Sequence, residues 1–175
     1  VQERCGNPAG MTIQEHLSAE NVTDRNLSFL RAIGVDFLTI YPLPALADRA
    51  EMIGYLSKAK ALAATHGLEL RNIGEKCPDA ITLNLEGREA AIERWRQLLE
   101  AMGETGIPSL GYNFKPVTIF RTAPTAGRGA AAYSTFSYEA FKGAEPLWPD
   151  KRIDAGNLWG NMQYFLENVL PVAEA

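Results

Sequence analysis

Residues able to bind a ligand or move a proton cluster where apolar runs stop. The clearest case is Gly111-Tyr112-Asn113-Phe114-Lys115-Pro116-Val117, which follows the apolar run 107–110. Asn113 offers a donor and an acceptor to sugar hydroxyls, and Lys115 offers a cation to a carboxylate. Tyr112 is a candidate for the same pocket, or for packing. A second polar pair, Glu75-Lys76, sits just past the predicted strand 68–73. If burial and the opposite charge tune both groups, the pair suits polyol binding or proton transfer; on an open loop it is a solvated ion pair worth little. Arg121 and Arg128 lie in a Gly- and Arg-containing stretch, 120–134. Arginine grips carboxylates bidentately, as a sugar acid requires, although arginine is also common on plain surfaces. Gly127-Arg128-Gly129 lets main chain approach a ligand, but without the Gly-Lys-Ser/Thr ending of a phosphate-binding loop. His16 follows another apolar-polar run and is a further candidate for the pocket. His66 stands beside Gly67, where a cation complements a helix C-terminus.

These candidates need a scaffold that gathers strand ends. Residues 11–17 fit a short first strand within an irregular N-terminal segment, 1–20. Thr23 suits an N-cap for a helix that Gly34 stops, with Leu27, Leu30 and Ile33 on its apolar face. Residues 35–41 are β-branched and aromatic and end at Pro42 and Pro44, so they read as a strand. A helix is predicted over 48–66, with Met52, Ile53, Leu56, Ala59 and Ala63 at helical spacing. A strand over 68–73 follows, and then a helix over 86–102 with Ile92, Trp95, Leu99 and Met102 on one side. Residues 107–113 form the next strand. A last helix, 155–174, carries Leu158, Met162, Phe165 and Val169 as a core stripe. Trp95, Trp159 and Phe165 are expected in the core, and Tyr133, Tyr138 and Trp148 in a lid or an oligomer contact. Strands starting near 35, 68 and 107, with a helix in each gap, imply parallel strands joined by crossovers. The fold class is therefore α/β: a parallel βα repeat of about four units in one domain, 1–175. A full eightfold barrel takes about 250 residues, and this chain is too short for one.

Bulk properties exclude several classes. A net charge of -4 and a pI near 5.3 give no general attraction to nucleic acid or acidic membranes. No apolar run approaches the roughly 20 residues of a membrane span. Two cysteines, Cys5 and Cys77, are too few for a disulfide scaffold, and with two isolated histidines they make no zinc spacing. No nucleophile signature is present. The chain starts at Val1 and not at Met, which suggests that a tag, a leader or an upstream segment was removed.

One family matches the motifs. Tyr112-Asn113-Phe114-Lys115-Pro116-Val117, followed by Phe120-Arg121-Thr122, resembles the Tyr-Asn-Phe-Met-Pro-Val run and following Trp-Thr-Arg-Thr of mannonate dehydratases. Lys115 replaces the Met, and the spacing to Arg121 is one residue shorter. Asn157-Leu158-Trp159-Gly160-Asn161-Met162-Gln163-Tyr164-Phe165-Leu166, with Val169-Leu170-Pro171-Val172-Ala173-Glu174, is similar to the family's Trp-x-Asn-Leu-x-Tyr-Phe-Leu helix ending in Ile-Pro-Val-Ala-Glu. Gly74-Glu75-Lys76 lies near the family's acidic-basic strand end. The resemblance runs from about residue 30 to the C-terminus.

It implies a xylose-isomerase-like TIM barrel and a metal-dependent lyase that removes water from D-mannonate to give 2-keto-3-deoxygluconate. A divalent cation, Mn²⁺ or Mg²⁺, is implied with it. The family's metal ligands lie on strands after the Pro-Val-Ala-Glu helix, beginning with one ending His-Pro-Asp-Asp-Pro, and those positions are absent from these 175 residues. What carries over is the N-terminal half, with Asn113 and Arg121 as substrate-side residues. Tyr112, Lys115, Arg128, Glu75, Lys76 and His16 complete the candidate set; no catalytic residue is assigned. A sugar isomerase or epimerase of the same superfamily, or a non-catalytic half-barrel that self-associates, are the alternatives. The expected partners are a small sugar acid and further copies of the chain. The family's sugar-catabolic role implies a cytoplasmic location.

Overall fold

The computed structural model describes residues 12–116, 119–143, 145, 149 and 153–175. Cys5, Met11, Val117 and Trp148 lie outside them. Four strands form one parallel sheet in the order β1-β2-β3-β4: β1 Gln14–Leu17, β2 Phe37–Ile40, β3 Glu69–Lys76 and β4 Ser109–Asn113. Between and after them run α1 Asp24–Ala32, α2 Arg49–Thr65, a single turn α3 Asp79–Thr82, α4 Arg88–Thr105 and α6 Ala155–Ala173. The connection from β4 to α6 also carries a two-stranded hairpin, β5 Thr125–Ala126 and β6 Ala132–Tyr133, and a short helix α5 Tyr138–Phe141. The alternation is that of four βα units of an open barrel.

Local chemistry sets the helix boundaries. Thr23 accepts from Asn26 N and caps α1. Asp48 accepts from Glu51 N at 2.9 Å, and Glu51 reaches back to Ala47 N at 2.7 Å, so two otherwise unpaired donors are satisfied at the start of α2. Asp154 does the same for α6 through Asn157 N; this hydrogen bond holds its carboxyl below the usual carboxylate range. Gly106 closes α4 at φ +65, a backbone conformation that costs glycine little.

The core has two parts. Leu38, Ile40, Leu70 and Ile73 point from the sheet toward Leu27, Met52, Leu56, Ala63, Leu98 and Met102 on the helices. Beside β4, the rings of Trp95 (α4), Phe165 (α6) and Tyr112 (β4) meet edge to face, with centroids 5.1–5.7 Å apart. Cys77 and Ile81 fill the space around this trio, and burial pushes the Cys77 thiol up to about 12. The expected stripe of α6 holds, with Phe165 and Val169 buried and Leu158 and Met162 half-buried. Two expected core residues do not reach it. Trp159 is 69% exposed, because it lies beside that stripe and not on it, and Ile33 at the end of α1 is 57% exposed. No helix among the described residues is long and apolar enough to cross a membrane.

Candidate functional site at the C-terminal end of the sheet

All four parallel strands deliver their C-terminal ends to one side, where barrel and open-sheet enzymes place their chemistry. A pocket of about 460 Å³ opens there, lined by His16, Thr39, Tyr41, Gly74, Glu75, Gly111, Tyr112 and Asn113. One lining residue, Thr39, is the centre of a hydrogen-bonded rung across three strands: Gln14 Nε2 and Asn72 Nδ2 both donate to Thr39 Oγ1, at 2.5 and 3.2 Å. Polar residues can sit in the middle of these strands because each satisfies another. Two lining glycines, Gly74 and Gly111, are paired in register. A Cβ on Gly74 would stand 2.8 Å from Tyr41 Cβ, so Tyr41 packs directly over that glycine. At Gly111 a Cβ would stand 3.5 Å from Asn72 Nδ2, which leaves the Asn72 amide open from the β4 side.

The candidate residues separate in space. His16 and Asn113 line the pocket from its two edge strands. His16 is held by Glu15, whose Oε1 accepts from the His16 main-chain N at 2.9 Å and lies 3.4 Å from Nδ1. Tyr112 contributes to the pocket lining, but its ring belongs to the helix side, where it packs on Trp95 and Phe165; burial, then the nearby Cys77, raise its hydroxyl pKa.

Glu75 and Lys76 are not past the end of a strand. The β3 ladder continues to the register pair Lys76–Asn113, so both are strand residues. Adjacent strand side chains point to opposite faces, and the expected ion pair between them does not form; the Lys76 main-chain N donates to Glu75 Oε2 at 3.3 Å instead. Glu75 lines both the pocket and a second cleft of about 280 Å³ on the helix side, which it shares with Lys76, Arg94, Trp95 and Met52. Burial raises the Glu75 pKa, opposed by the Lys76 N–H and by the Arg94 guanidinium. Lys115 lies two residues past β4, half-buried, and is not among the residues lining the pocket.

Neither Arg121 nor Arg128 lines it either. Both belong to the arm between β4 and α6, and among the described residues the hydrogen bonds of this arm run between its own residues. Arg121 Nε donates to Ser134 Oγ at 2.9 Å and Nη1 to the Phe120 carbonyl, while Thr122 and Thr135 bond across the base. Phe120, Phe136 and Phe141 stack into a small cluster of their own. Arg128 is at the hairpin tip, where its main-chain N donates to the Tyr133 hydroxyl. His66 lies away from the site as well. As the C-cap of α2 it bonds Asp24 at 2.9 Å and Ser28 at 3.1 Å, tying α1 to the end of α2.

Sequence reasoning missed Thr39, Tyr41 and Asn72. For Thr39 the available signal was a polar side chain inside an apolar strand, Phe37-Leu38-Thr39-Ile40; Asn72, among the polar residues of β3, carried none. Among the described residues no group of three or more His, Cys, Asp or Glu stands close enough to hold a metal ion. His16 and Glu75 are the only such residues in the pocket lining, so the described residues do not fit a metal site by themselves.

The chain is 30% identical over 137 residues to Mannonate dehydratase 2 of Halalkalibacterium halodurans, in a match that covers 62% of this chain and 39% of that protein. It is 26% identical over 144 residues to the mannonate dehydratase of Oceanobacillus iheyensis, covering 67% of this chain and 41% of that one. The chain is similar to the first part of a mannonate dehydratase. In three dimensions the crystal structure of mannonate dehydratase from Streptococcus suis serotype 2 matches with a TM-score of 0.76 at 23% identity, over 95% of this chain and 51% of that chain. That likeness establishes a TIM-barrel-like fold, of which this chain contains four parallel strands and no closed barrel. The chain spans roughly two fifths of the length of the curated relatives it matches. No protein-family model matches it.

Proposed function

We propose that the pocket at the sheet end is the sugar-acid-binding part of a mannonate dehydratase-like lyase, which removes water from D-mannonate to give 2-keto-3-deoxygluconate. The observation that carries this reading is the pocket at the C-terminal ends of the strands, where Thr39 is the centre of a polar rung joining β1, β2 and β3 and Gly111 leaves the side next to Asn72 open, in a chain similar to mannonate dehydratases. In this reading Asn113 and the rung beneath it hold hydroxyl groups of the acid, and Tyr41 closes one wall. His16 stands at the opposite rim with a ring nitrogen able to take or give a hydrogen bond. Arg121, Arg128 and Lys115 do not line the pocket, so this reading assigns them no direct contact with the ligand. The divalent cation implied by the resemblance would need ligands from outside the described residues, and no step is assigned to it. A cytoplasmic location accompanies this reading through the catabolic role of such enzymes.

The test is direct. The protein is incubated with D-mannonate, with and without Mn²⁺ or Mg²⁺, and 2-keto-3-deoxy acid is measured; calorimetry follows binding of D-mannonate in parallel. Binding that Asn113→Ala weakens supports the reading. Interconversion of ketoses without any 2-keto-3-deoxy acid would replace it with the isomerase or epimerase alternative.

A second reading, self-association, is favoured by the open side of β4. Residues of β4 are largely exposed, and an apolar cleft of about 390 Å³ beside it is lined by Ile107, Leu110, Phe165, Val169, Leu170 and Val172. Edges and patches of this kind pair with other chains. Sedimentation as a compact monomer at all concentrations would exclude it.

A further inference from the structure

We propose that Thr39 is a specificity-determining residue of this pocket: its hydroxyl is a lining donor that selects an oxygen acceptor on the ligand. A hydroxyl has two acceptor lone pairs and one proton. Gln14 Nε2 and Asn72 Nδ2 both donate to Thr39 Oγ1, so both lone pairs are engaged. The proton remains, and no protein acceptor for it is found among the described residues. Thr39 is 8% exposed, and that exposure is to the pocket it lines. Facing the pocket, that proton can be taken by a ligand oxygen, whereas another donor brought there, such as an ammonium, finds no acceptor at this hydroxyl.

Gly111 extends the argument to a second contact. The space where its Cβ would stand is 3.5 Å from Asn72 Nδ2 and 3.7 Å from Asn72 Oδ1. A ligand atom can therefore reach the Asn72 amide oxygen from the β4 side while a neighbouring oxygen takes the Thr39 proton. Donor and acceptor side by side fit a hydroxyl group or a pair of vicinal hydroxyls, which both give and accept. An aliphatic chain satisfies neither. The inference rests on the sugar-acid reading above and narrows it to the residues that measure the ligand's oxygen pattern.

The experiment is isothermal titration of the protein with D-mannonate, in the wild type and in Thr39→Val, Thr39→Ser and Gly111→Val, with thermal melts and circular dichroism to verify folding. Val keeps the shape of Thr and removes the donor. The expected result is an affinity loss of about tenfold or more in Thr39→Val and recovery to within about threefold in Thr39→Ser. Rescue by serine separates a donor role from simple packing of the strand. Gly111→Val covers the Asn72 amide without touching Thr39 and is expected to abolish measurable binding while the fold persists. If Thr39→Val fails to fold, Thr39→Ala, which also removes the donor, decides the matter by its loss of affinity relative to Thr39→Ser. Wild-type affinity in a folded Thr39→Val, or in Gly111→Val, overturns the assignment and leaves the sugar-acid reading standing. No binding of D-mannonate by the wild type overturns both.

Discussion

Gly74 and Gly111 are register partners on neighbouring strands, yet adding one methyl group to each should have opposite results. At Gly74 the new Cβ would lie 2.8 Å from Tyr41 Cβ and 3.0 Å from both Tyr41 Cγ and Cδ2. Cβ is fixed to the main chain of the segment after β2, so the clash cannot be relieved by rotating a side chain. Either β3 or the start of the β2–α2 connection must shift. Overpacking of that kind costs about 1–3 kcal/mol. At Gly111 the nearest atom is Asn72 Nδ2 at 3.5 Å, an ordinary contact, and the main chain there does not take the positive φ that favours glycine. Gly111→Ala should therefore lie within about 0.5 kcal/mol of the wild type, or gain slightly from a less flexible unfolded chain.

Urea denaturation followed by tryptophan fluorescence measures both. With a slope of about 2 kcal/mol/M, Gly74→Ala should lower the midpoint by about 0.5–1.5 M and Gly111→Ala should leave it nearly unchanged. The geometry also orders a set of double variants. Tyr41→Ala removes Cγ and Cδ2 but keeps the closest atom, so the penalty of Gly74→Ala should fall only in part; in a Tyr41→Gly background it should nearly vanish. A Gly74→Ala protein as stable as Gly111→Ala, or a penalty indifferent to the residue at 41, would refute the close packing of Tyr41 on β3 and with it the wall assigned to the pocket.

Three further outcomes are expected. Glu75 has a raised pKa in the folded protein, so its contribution to stability is present below its ordinary value of 4.5 and is lost as pH rises through the folded value; melts of wild type and Glu75→Gln at pH 4 and pH 7 should show the variant gaining relative to wild type at the higher pH, and a constant difference would refute the burial of that carboxyl. Phe165→Ala should cost about 3–5 kcal/mol, since that side chain is 1% exposed and touches Trp95, Tyr112 and Phe114, whereas Trp159→Ala should be nearly neutral in the same urea titration. The Thr82 hydroxyl is buried without a hydrogen-bond partner, so Thr82→Val should leave the melting temperature unchanged or raise it; a clear drop would reveal a partner for that hydroxyl.

The βα rhythm was legible because period and punctuation agreed: the apolar stripes of α2, α4 and α6 repeat at helical spacing, and Gly67 and Gly106 mark the stops. What failed had no such signal. A single turn such as α3 is too short to show a period, and the hairpin of the arm has strands of two residues each. β3 ran further than its apolar residues suggested because pairing with β4 on its far side sustains the ladder through Glu75 and Lys76. Trp159 was assigned by residue type where phase decides, being one position off the line through Leu158, Met162, Phe165 and Val169. For the site, strand ends could be read, and they brought His16 and Asn113 to one pocket. The rung of Gln14, Thr39 and Asn72 could not, since three residues far apart in sequence become one network only once the strand register is known.

The two faces of the sheet explain why the candidate residues divided as they did. Toward the helices, a polar group at a strand end is drawn into apolar surroundings: Tyr112 joins an aromatic trio, Cys77 is sealed, and Glu75 is partly desolvated between the pocket and the helix-side cleft. Toward the other face the same strands present Thr39, Asn72 and Gln14, which satisfy one another and still leave a donor over. In the sugar-acid reading, that leftover capacity is what the ligand would use. Ligand recognition at this sheet end should therefore depend more on the uncharged rung than on the arginines and lysines that first drew notice, because Arg121 is occupied at the base of the arm and Arg128 stands at its tip. Charge placed there can attract an acid toward the rim, but only the pocket lining lies close enough to distinguish one hydroxyl pattern from another.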